Sequence, residues 1–289
     1  AYGLYRPHVP FVAPKKYFDL YDINDFIVPE ISDEYLETIP KPAAVSLRAR
    51  KEQIDLDPAL SATIKHAYYA TTSFMDAQIG RVLDKLEETG LDKNTIIVFT
   101  SDHGYHLGEH GHWQKQTLFQ DATRVPLIFA GPGVKKTKKS VDSPVELVDL
   151  YPTLMDMLGM ETPSFVSGKS LKPFFDNPDT SIRSSAFTEL QLNTGNIRAQ
   201  GYGIQTTNYR LNKWQFNGLT EYELYDHKND PKELKNLANL SSYSVIKDSL
   251  SIILNQRITS AKKLPKGLGR QINNARPWNE PKRFFSKPK

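Results

Sequence analysis

Four of the seven histidines in the chain, His103, His106, His110 and His112, fall within ten residues. They stand in the run Thr100-Ser101-Asp102-His103-Gly104-Tyr105-His106-Leu107-Gly108-Glu109-His110-Gly111-His112-Trp113-Gln114-Lys115, where a carboxylate precedes an imidazole and a lysine closes a glycine-rich stretch. Asp102 and His103 are the candidate metal ligands. The carboxylate suits a hard divalent cation, and Gly104 lets the backbone turn at the cation where a side chain would clash. Ca²⁺ prefers oxygen donors, so Mg²⁺, Mn²⁺ and Zn²⁺ stay open, as does a role for His103 beside the ion. The competing reading is an Asp-His-Gly turn that closes a strand. Lys115 offers a compact ammonium for a tetrahedral oxyanion such as sulfate or phosphate; its ordinary alternative is a solvated surface lysine. His8 lies in the stiff segment Arg6-Pro7-His8-Val9-Pro10-Phe11, where an imidazole is suited to donate a proton to a leaving group or is simply a loop histidine.

The letters His106-Leu107-Gly108-Glu109-His110 also match the H-x-x-E-H pattern of a zinc protease. That motif needs a helix, and Gly104, Gly108 and Gly111 oppose one, each at a cost of roughly 1 kcal/mol relative to Ala. The absence of cysteine excludes disulfides, thiolate metal sites and a cysteine nucleophile within these 289 residues.

Asp102 and His103 follow a fully apolar, β-rich run at residues 95–100, the pattern of a strand buried on both faces of a parallel sheet, and open α/β sheets hold ligands beyond the carboxyl ends of such strands. Before it, Asp57-Pro58 is a helix start, and apolar residues from Ile64 to Leu86 recur at helical spacing as far as Gly90. Residues 1–56 lack periodicity and read as long loops wrapped over a core. A second apolar strand is expected at residues 125–130, ending in Gly131-Pro132-Gly133. Ser143-Pro144-Val145-Glu146 reads as a capping box that opens a helix stopped by Gly159. From about Ser184 the runs 186–190, 202–206, 209–214 and 221–225 alternate between turn residues, which predicts an antiparallel sheet covered by a helix over 245–258. The fold class is therefore α/β, with residues 1–180 in a mixed or parallel sheet flanked by helices and residues 181–289 in a smaller unit with an antiparallel sheet and a helix.

The formal net charge is +4, yet residues 262–289 hold nine Lys or Arg against the single acid Glu280, so the rest of the chain is net acidic. This Pro-rich tail reads as a solvated end rather than a polyanion patch, because it lacks regular aromatic interleaving; nucleic acid is not an expected partner. The apolar runs are far shorter than the roughly 20 residues of a membrane-spanning helix, and no membrane partner is expected.

Arg6 to Phe11, Thr100 to Lys115, Asp121-Ala122-Thr123-Arg124-Val125-Pro126-Leu127-Ile128 and Val148-Asp149-Leu150-Tyr151-Pro152-Thr153-Leu154 together resemble the formylglycine-dependent sulfatases of the alkaline phosphatase superfamily, and among them the iduronate-2-sulfatase-like branch. Residues 201–210, Glu223-Leu224-Tyr225-Asp226, Asp230-Pro231 and Asn236-Leu237-Ala238 are similar to the C-terminal part of that family, so the resemblance covers nearly the whole chain. It implies an alkaline-phosphatase-like fold and a calcium-dependent hydrolase of sulfate esters. By the same resemblance Asp102 and His103 are metal ligands, Lys115 holds sulfate oxygens, and His8 stands near the leaving-group oxygen. Substrate binding is assigned to Lys115, His8 and His112, while Tyr105, His106, Trp113 and Arg198 are further candidates to line the pocket, with packing as the alternative for the aromatics.

The family's Cys or Ser-x-Pro-x-Arg nucleophile and its first Asp-Asp ligand pair do not occur here. The expectation is a C-terminal portion of a sulfatase, inactive by itself, whose formylglycine and remaining ligands come from an N-terminal portion of the same protein. Expected substrates are sulfated polysaccharides or glycosaminoglycan-type sugars, met in a secreted, periplasmic or lysosomal setting. Rival readings are a phosphatase or phosphodiesterase of the same superfamily and a non-catalytic binding module.

Overall fold

The computed structural model describes residues 1–28, 31–135, 140–194 and 197–263; the basic tail beyond residue 263 lies outside them. Helix α1, Pro58–Glu88, begins where Asp57 accepts from the backbone N–H groups of Ala59 and Leu60 at 2.9 and 3.2 Å and Pro58 occupies the first turn. It ends before Gly90, whose φ of 69° is left-handed. The segment before α1 runs in loops and short helical turns as expected, except for the helix Lys41–Leu47, and residues 11–26 wrap over α1. Tyr17 packs on Phe74, Phe11 meets Tyr68 edge-on at 5.5 Å, and Tyr21 bonds Ser73.

Strand β1, Ile97–Thr100, pairs with β2, Leu127–Ala130, in the register Ile97↔Ala130 to Thr100↔Leu127. The pairing is antiparallel, where the apolar run predicted a parallel neighbour, and β1 is half-buried instead of enclosed on both faces. An apolar run does not encode pairing direction. Here residues 101–126 double back on themselves without a crossover helix, so the chain returns beside β1 in the opposite sense. The second helix also starts later than the sequence suggests. Its capping pair is Glu146 and Asp149, with the Glu146 N–H donating to Asp149 Oδ2 at 2.9 Å, ahead of α2, Leu150–Met157. Gly159, at φ 68°, stops it as predicted.

Strands β3, Ala186–Thr194, β4, Ile197–Gln205, β5, Tyr209–Phe216, and β6, Leu219–Asp226, form an antiparallel meander in sequence order. Both faces are covered. Leu250 and Leu254 of α3, Ser244–Ala261, pack on Ile204, Leu211 and Leu224. On the opposite face Trp214 and Tyr225 join Leu118, Phe119 and residues 39–47 in one core. That second core draws residues from both sides of position 180 and anchors the loop after β1 against the meander. A buried ion group adds to this joint: Arg183 pairs with both Glu146 and Asp149, and Arg257 of α3 reaches Glu146 at 2.5 Å.

Candidate active site

The chain leaves β1 at Thr100 into a tight turn. Ser101 Oγ donates to the His103 carbonyl at 2.9 Å, and the His103 N–H donates to Asp102 Oδ1 at 3.1 Å. His103 Nδ1 lies 2.7 Å from the Gly104 carbonyl. A carbonyl only accepts, so Nδ1 carries the proton and the lone pair is on Nε2. That nitrogen lies 3.6 Å from Asp102 Oδ2, and the Asp102 side chain is 85% exposed. Two donors, one oxygen and one nitrogen, therefore open to solvent at the end of the strand, at a separation that adjacent ligands of one cation can adopt. Among the described residues no group of three or more His, Cys, Asp or Glu is arranged to hold a metal ion; this pair offers two donor atoms side by side.

Gly104 is required here, for a reason other than the turn at a cation that the sequence suggested. A Cβ at this position would lie 2.0 Å from the Asp121 carbonyl oxygen, because the two limbs of the loop close on each other. Gly104 N–H donates to Ala122 O, His106 N–H to Gln114 O and Gly108 N–H to His112 O, at 2.8, 2.7 and 2.9 Å. This ladder lays Gln114 beside His106, so Lys115 stands next in the chain on the limb that pairs with the one following the Asp102–His103 turn. Lys115 is itself half-buried.

The N-terminal segment docks on the same loop. Phe11 meets Tyr105 edge-on at 6.2 Å, and Tyr105 stacks on Tyr68 at 5.7 Å. Burial pushes the Tyr105 phenol up to about 12, so it is neutral and serves packing. His8, three residues before Phe11, is exposed. Its Nδ1 donates to Val9 O at 2.8 Å, which leaves Nε2 as the open nitrogen, and Arg6 fixes the turn by donating to the His8 and Val12 carbonyls. The segment bearing His8 thus reaches, through Phe11, the Tyr105 that follows the Asp102–His103–Gly104 turn.

The other three histidines of the cluster turn inward. His106, His110 and His112 are 0, 3 and 3% exposed, with ring centroids 5.0 and 5.8 Å from His106 to its two neighbours. His106 Nδ1 donates to Glu109 O and its Nε2 accepts from Thr117 Oγ1 at 2.8 Å. His110 Nδ1 bonds Tyr35 OH, and His112 Nδ1 donates to Leu47 O at 2.8 Å. Burial lowers all three, His110 to about 4, and pushes the neighbouring Asp121 up to about 6. His112, assigned to substrate on sequence grounds, is closed off by the Leu47 carbonyl and the His106 ring, and Trp113 is buried as well. Arg198 lies at the end of the β3–β4 hairpin, bonded to Asn193. The H-x-x-E-H letters form no α-helix, only a 3-10 turn at Glu109–Gly111: His110 has φ 56° and Gly108 φ 100°.

Sequence reasoning passed over two charged residues that reach this loop. Arg210 donates to Leu118 O at 3.0 Å, and Glu233 accepts from the Gln120 N–H at 2.7 Å. Arg210 shares a face of β5 with Asn212 and Trp214, and only the burial of Trp214 hints that this polar-looking face points inward.

Comparison with known proteins bears on the family and the fold. A sulfatase family model matches residues 3–160, and a model of the C-terminal part of N-sulphoglucosamine sulphohydrolase matches residues 108–260. A sulfatase of Formosa agariphila is 35% identical over 88% of this chain and 48% of its own length. Human iduronate 2-sulfatase is 30% identical over 83% of this chain and 58% of its own length. A solved phosphonate monoester hydrolase from Silicibacter pomeroyi superposes with a TM-score of 0.74 at 28% identity, covering 91% of this chain and 56% of that one. The chain spans about half the length of the curated relatives it matches. With a family model over more than half of its residues, and with both models in chain order, the chain belongs to the sulfatase family.

Proposed function

We propose that this chain supplies the metal-facing and sulfate-facing half of a sulfatase acting on sulfated sugars. The observation that carries the reading is the outward pair of Asp102 Oδ2 and His103 Nε2 at the end of β1, and the backbone bond from His106 to Gln114 supports a role for Lys115 on the same loop. Asp102 and His103 would hold a divalent cation, Ca²⁺ or a relative, which when bound polarises a sulfuryl oxygen as a Lewis acid. Lys115 binds a second sulfuryl oxygen and offsets the negative charge that grows there. His8 presents Nε2 to the leaving group; protonated, it donates to the departing alkoxide. Residues of this chain do not fit a formylglycine, since it has no cysteine and no Ser-x-Pro-x-Arg. No attack step is therefore derived from them, and the nucleophile and remaining ligands are assigned to residues outside the chain.

The names of the relatives support a sulfated uronate or hexosamine as substrate. A secreted, periplasmic or lysosomal setting goes with such a substrate. No helix among the described residues is long and apolar enough to cross a membrane. The likeness to a phosphonate hydrolase motivates a second reading, in which the transferred group is phosphoryl. Two-metal phosphoryl transfer needs further ligands, and His227, the one histidine downstream of His112, is committed to Glu233 at 2.6 Å. This favours sulfate.

The test is turnover of matched aryl sulfate, phosphate and phosphonate esters by a polypeptide that joins this chain to its nucleophile. Sulfate release should be fastest, and Lys115→Ala should lower kcat on the order of 100-fold with a smaller change in KM. Faster phosphate or phosphonate release, or unchanged kinetics in the variant, contradicts the reading.

A further inference from the structure

The loop that carries Lys115 is gripped from below by a charged cluster in the antiparallel meander. Arg210 Nη1 donates to Leu118 O at 3.0 Å, and Arg210 Nε donates to Glu233 Oε1 at 2.5 Å. Glu233 Oε2 accepts from the Gln120 N–H at 2.7 Å, and Oε1 also accepts from His227 Nε2 at 2.6 Å. His227 Nδ1 in turn accepts from Gln205 at 3.1 Å, which fixes its tautomer. Arg210 and Glu233 are 2 and 1% exposed. Two buried charges in so apolar a setting are costly unless every donor and acceptor is used, and here both carboxylate oxygens are.

The backbone groups seized by this pair, Leu118 O and Gln120 N–H, bracket Phe119, whose ring lies in the core with Tyr225 at 5.8 Å. One residue further, the Asp121 carbonyl is the atom that abuts Gly104. Toward the other side, Thr117 is tied to His106, and Lys115 follows two residues upstream. The ion pair therefore fixes the middle of the strip 115–121 at Leu118 and Gln120, between the bonds His106 makes to Gln114 and Thr117 on the Lys115 side and the support of the Asp102–His103–Gly104 turn on the other. We infer that Arg210 and Glu233 are positioning residues for the site: they hold Lys115 in register with the Asp102–His103 pair so that one tetrahedral anion can meet both. This role rests on the sulfatase reading of Lys115 proposed above. Burial opposes the charge on Glu233, but Arg210, His227 and the Gln120 N–H together keep it ionised, its carboxyl below the usual range. The clamp is thus in place at neutral pH.

The test uses the polypeptide that joins this chain to its nucleophile and remaining ligands, its Glu233→Gln and Arg210→Lys variants, and His227→Asn as a control that spares both bonds to the loop. Hydrogen exchange at the amides of residues 117–121 should accelerate about tenfold or more in the first two variants, with α1 unchanged, and remain as in the parent in the control. Inorganic sulfate, titrated in the presence of Ca²⁺, should bind about tenfold more weakly to Glu233→Gln, and no more weakly to Glu233→Gln/Lys115→Ala than to Lys115→Ala alone. That non-additivity separates positioning from a general loss of stability. If Glu233→Gln misfolds, Arg210→Lys, which keeps the buried charge, carries the same comparison. Unchanged exchange at 117–121, or additive losses of sulfate affinity, overturns the inference. Sulfate binding indifferent to Lys115→Ala sinks the proposed function instead; exchange then decides the clamp, acceleration at 117–121 upholding it and its absence overturning it.

Discussion

Two groups of histidine lie within ten residues of each other and have opposite fates. His103 keeps a lone pair on Nε2, turned toward an exposed carboxylate at the end of β1. His106 meets His110 and His112 edge-on and His110 stacks on Phe119, each imidazole with a ring nitrogen satisfied by a buried backbone or hydroxyl group. Residue type is the same in both, and so is the sequence neighbourhood. What differs is which limb of the folded loop each belongs to: the first turn after the strand faces solvent, and the following glycine-rich turn is pressed onto residues 35–47 and the meander. The dense histidine run is thus two structures, a candidate site of one imidazole and a polar core of three that supports it.

Substitutions should divide along that line. His106→Ala removes a fully buried ring and leaves Thr117 Oγ1 without its partner, so the expected loss is about 2–4 kcal/mol in denaturant unfolding, with metal affinity at Asp102 retained. A loss below about 1 kcal/mol would break the comparison.

Acid should act on the inner group next. The three buried imidazoles stay neutral in the folded chain, whereas the unfolded chain takes up protons near 6.5, so stability from this source is full above that value and is lost as pH falls from there toward about 4, where His110 itself charges. Asp121, pushed up to about 6, works the other way: its contribution is full below the ordinary value of 3.8 and is lost as pH rises through 6. Three histidines outweigh one carboxyl, and denaturant midpoints should drop between pH 7 and pH 4.5. A flat profile would show that the imidazoles are not held neutral.

The smallest effect on stability belongs to the outer pair. Asp102→Asn, at an exposed position, should shift the thermal midpoint by no more than the equivalent of about 0.5 kcal/mol while it weakens divalent-ion binding. A large loss of stability would mean that Asp102 is a structural turn residue.

Much of the scaffold was legible. Asp57-Pro58 and Gly90 bounded α1 because capping and left-handed backbone are local chemistry, and the alternation after residue 186 announced the meander. The direction of the β1–β2 pairing was not legible, since it follows from how residues 101–126 fold back. The α2 cap fell on Glu146 and Asp149 rather than Ser143 because both carboxylates are gathered by Arg183 from a distant part of the chain. Asp102 and His103 were singled out from their place after an apolar strand, and they do form a turn at its end, whereas Lys115 rested on the glycine-rich loop and the family resemblance. The burial of His112 and the reach of Arg210 and Glu233 were not, because each depends on partners 65 to 113 residues away.

The most direct test of the central claim is paramagnetic broadening of histidine ring resonances during titration of this chain with Mn²⁺. The account predicts that His103 broadens first, that Asp102→Asn removes the effect, and that His106, His110 and His112 lag behind it throughout. Broadening centred on the buried three, or spread evenly over all seven histidines, would contradict it.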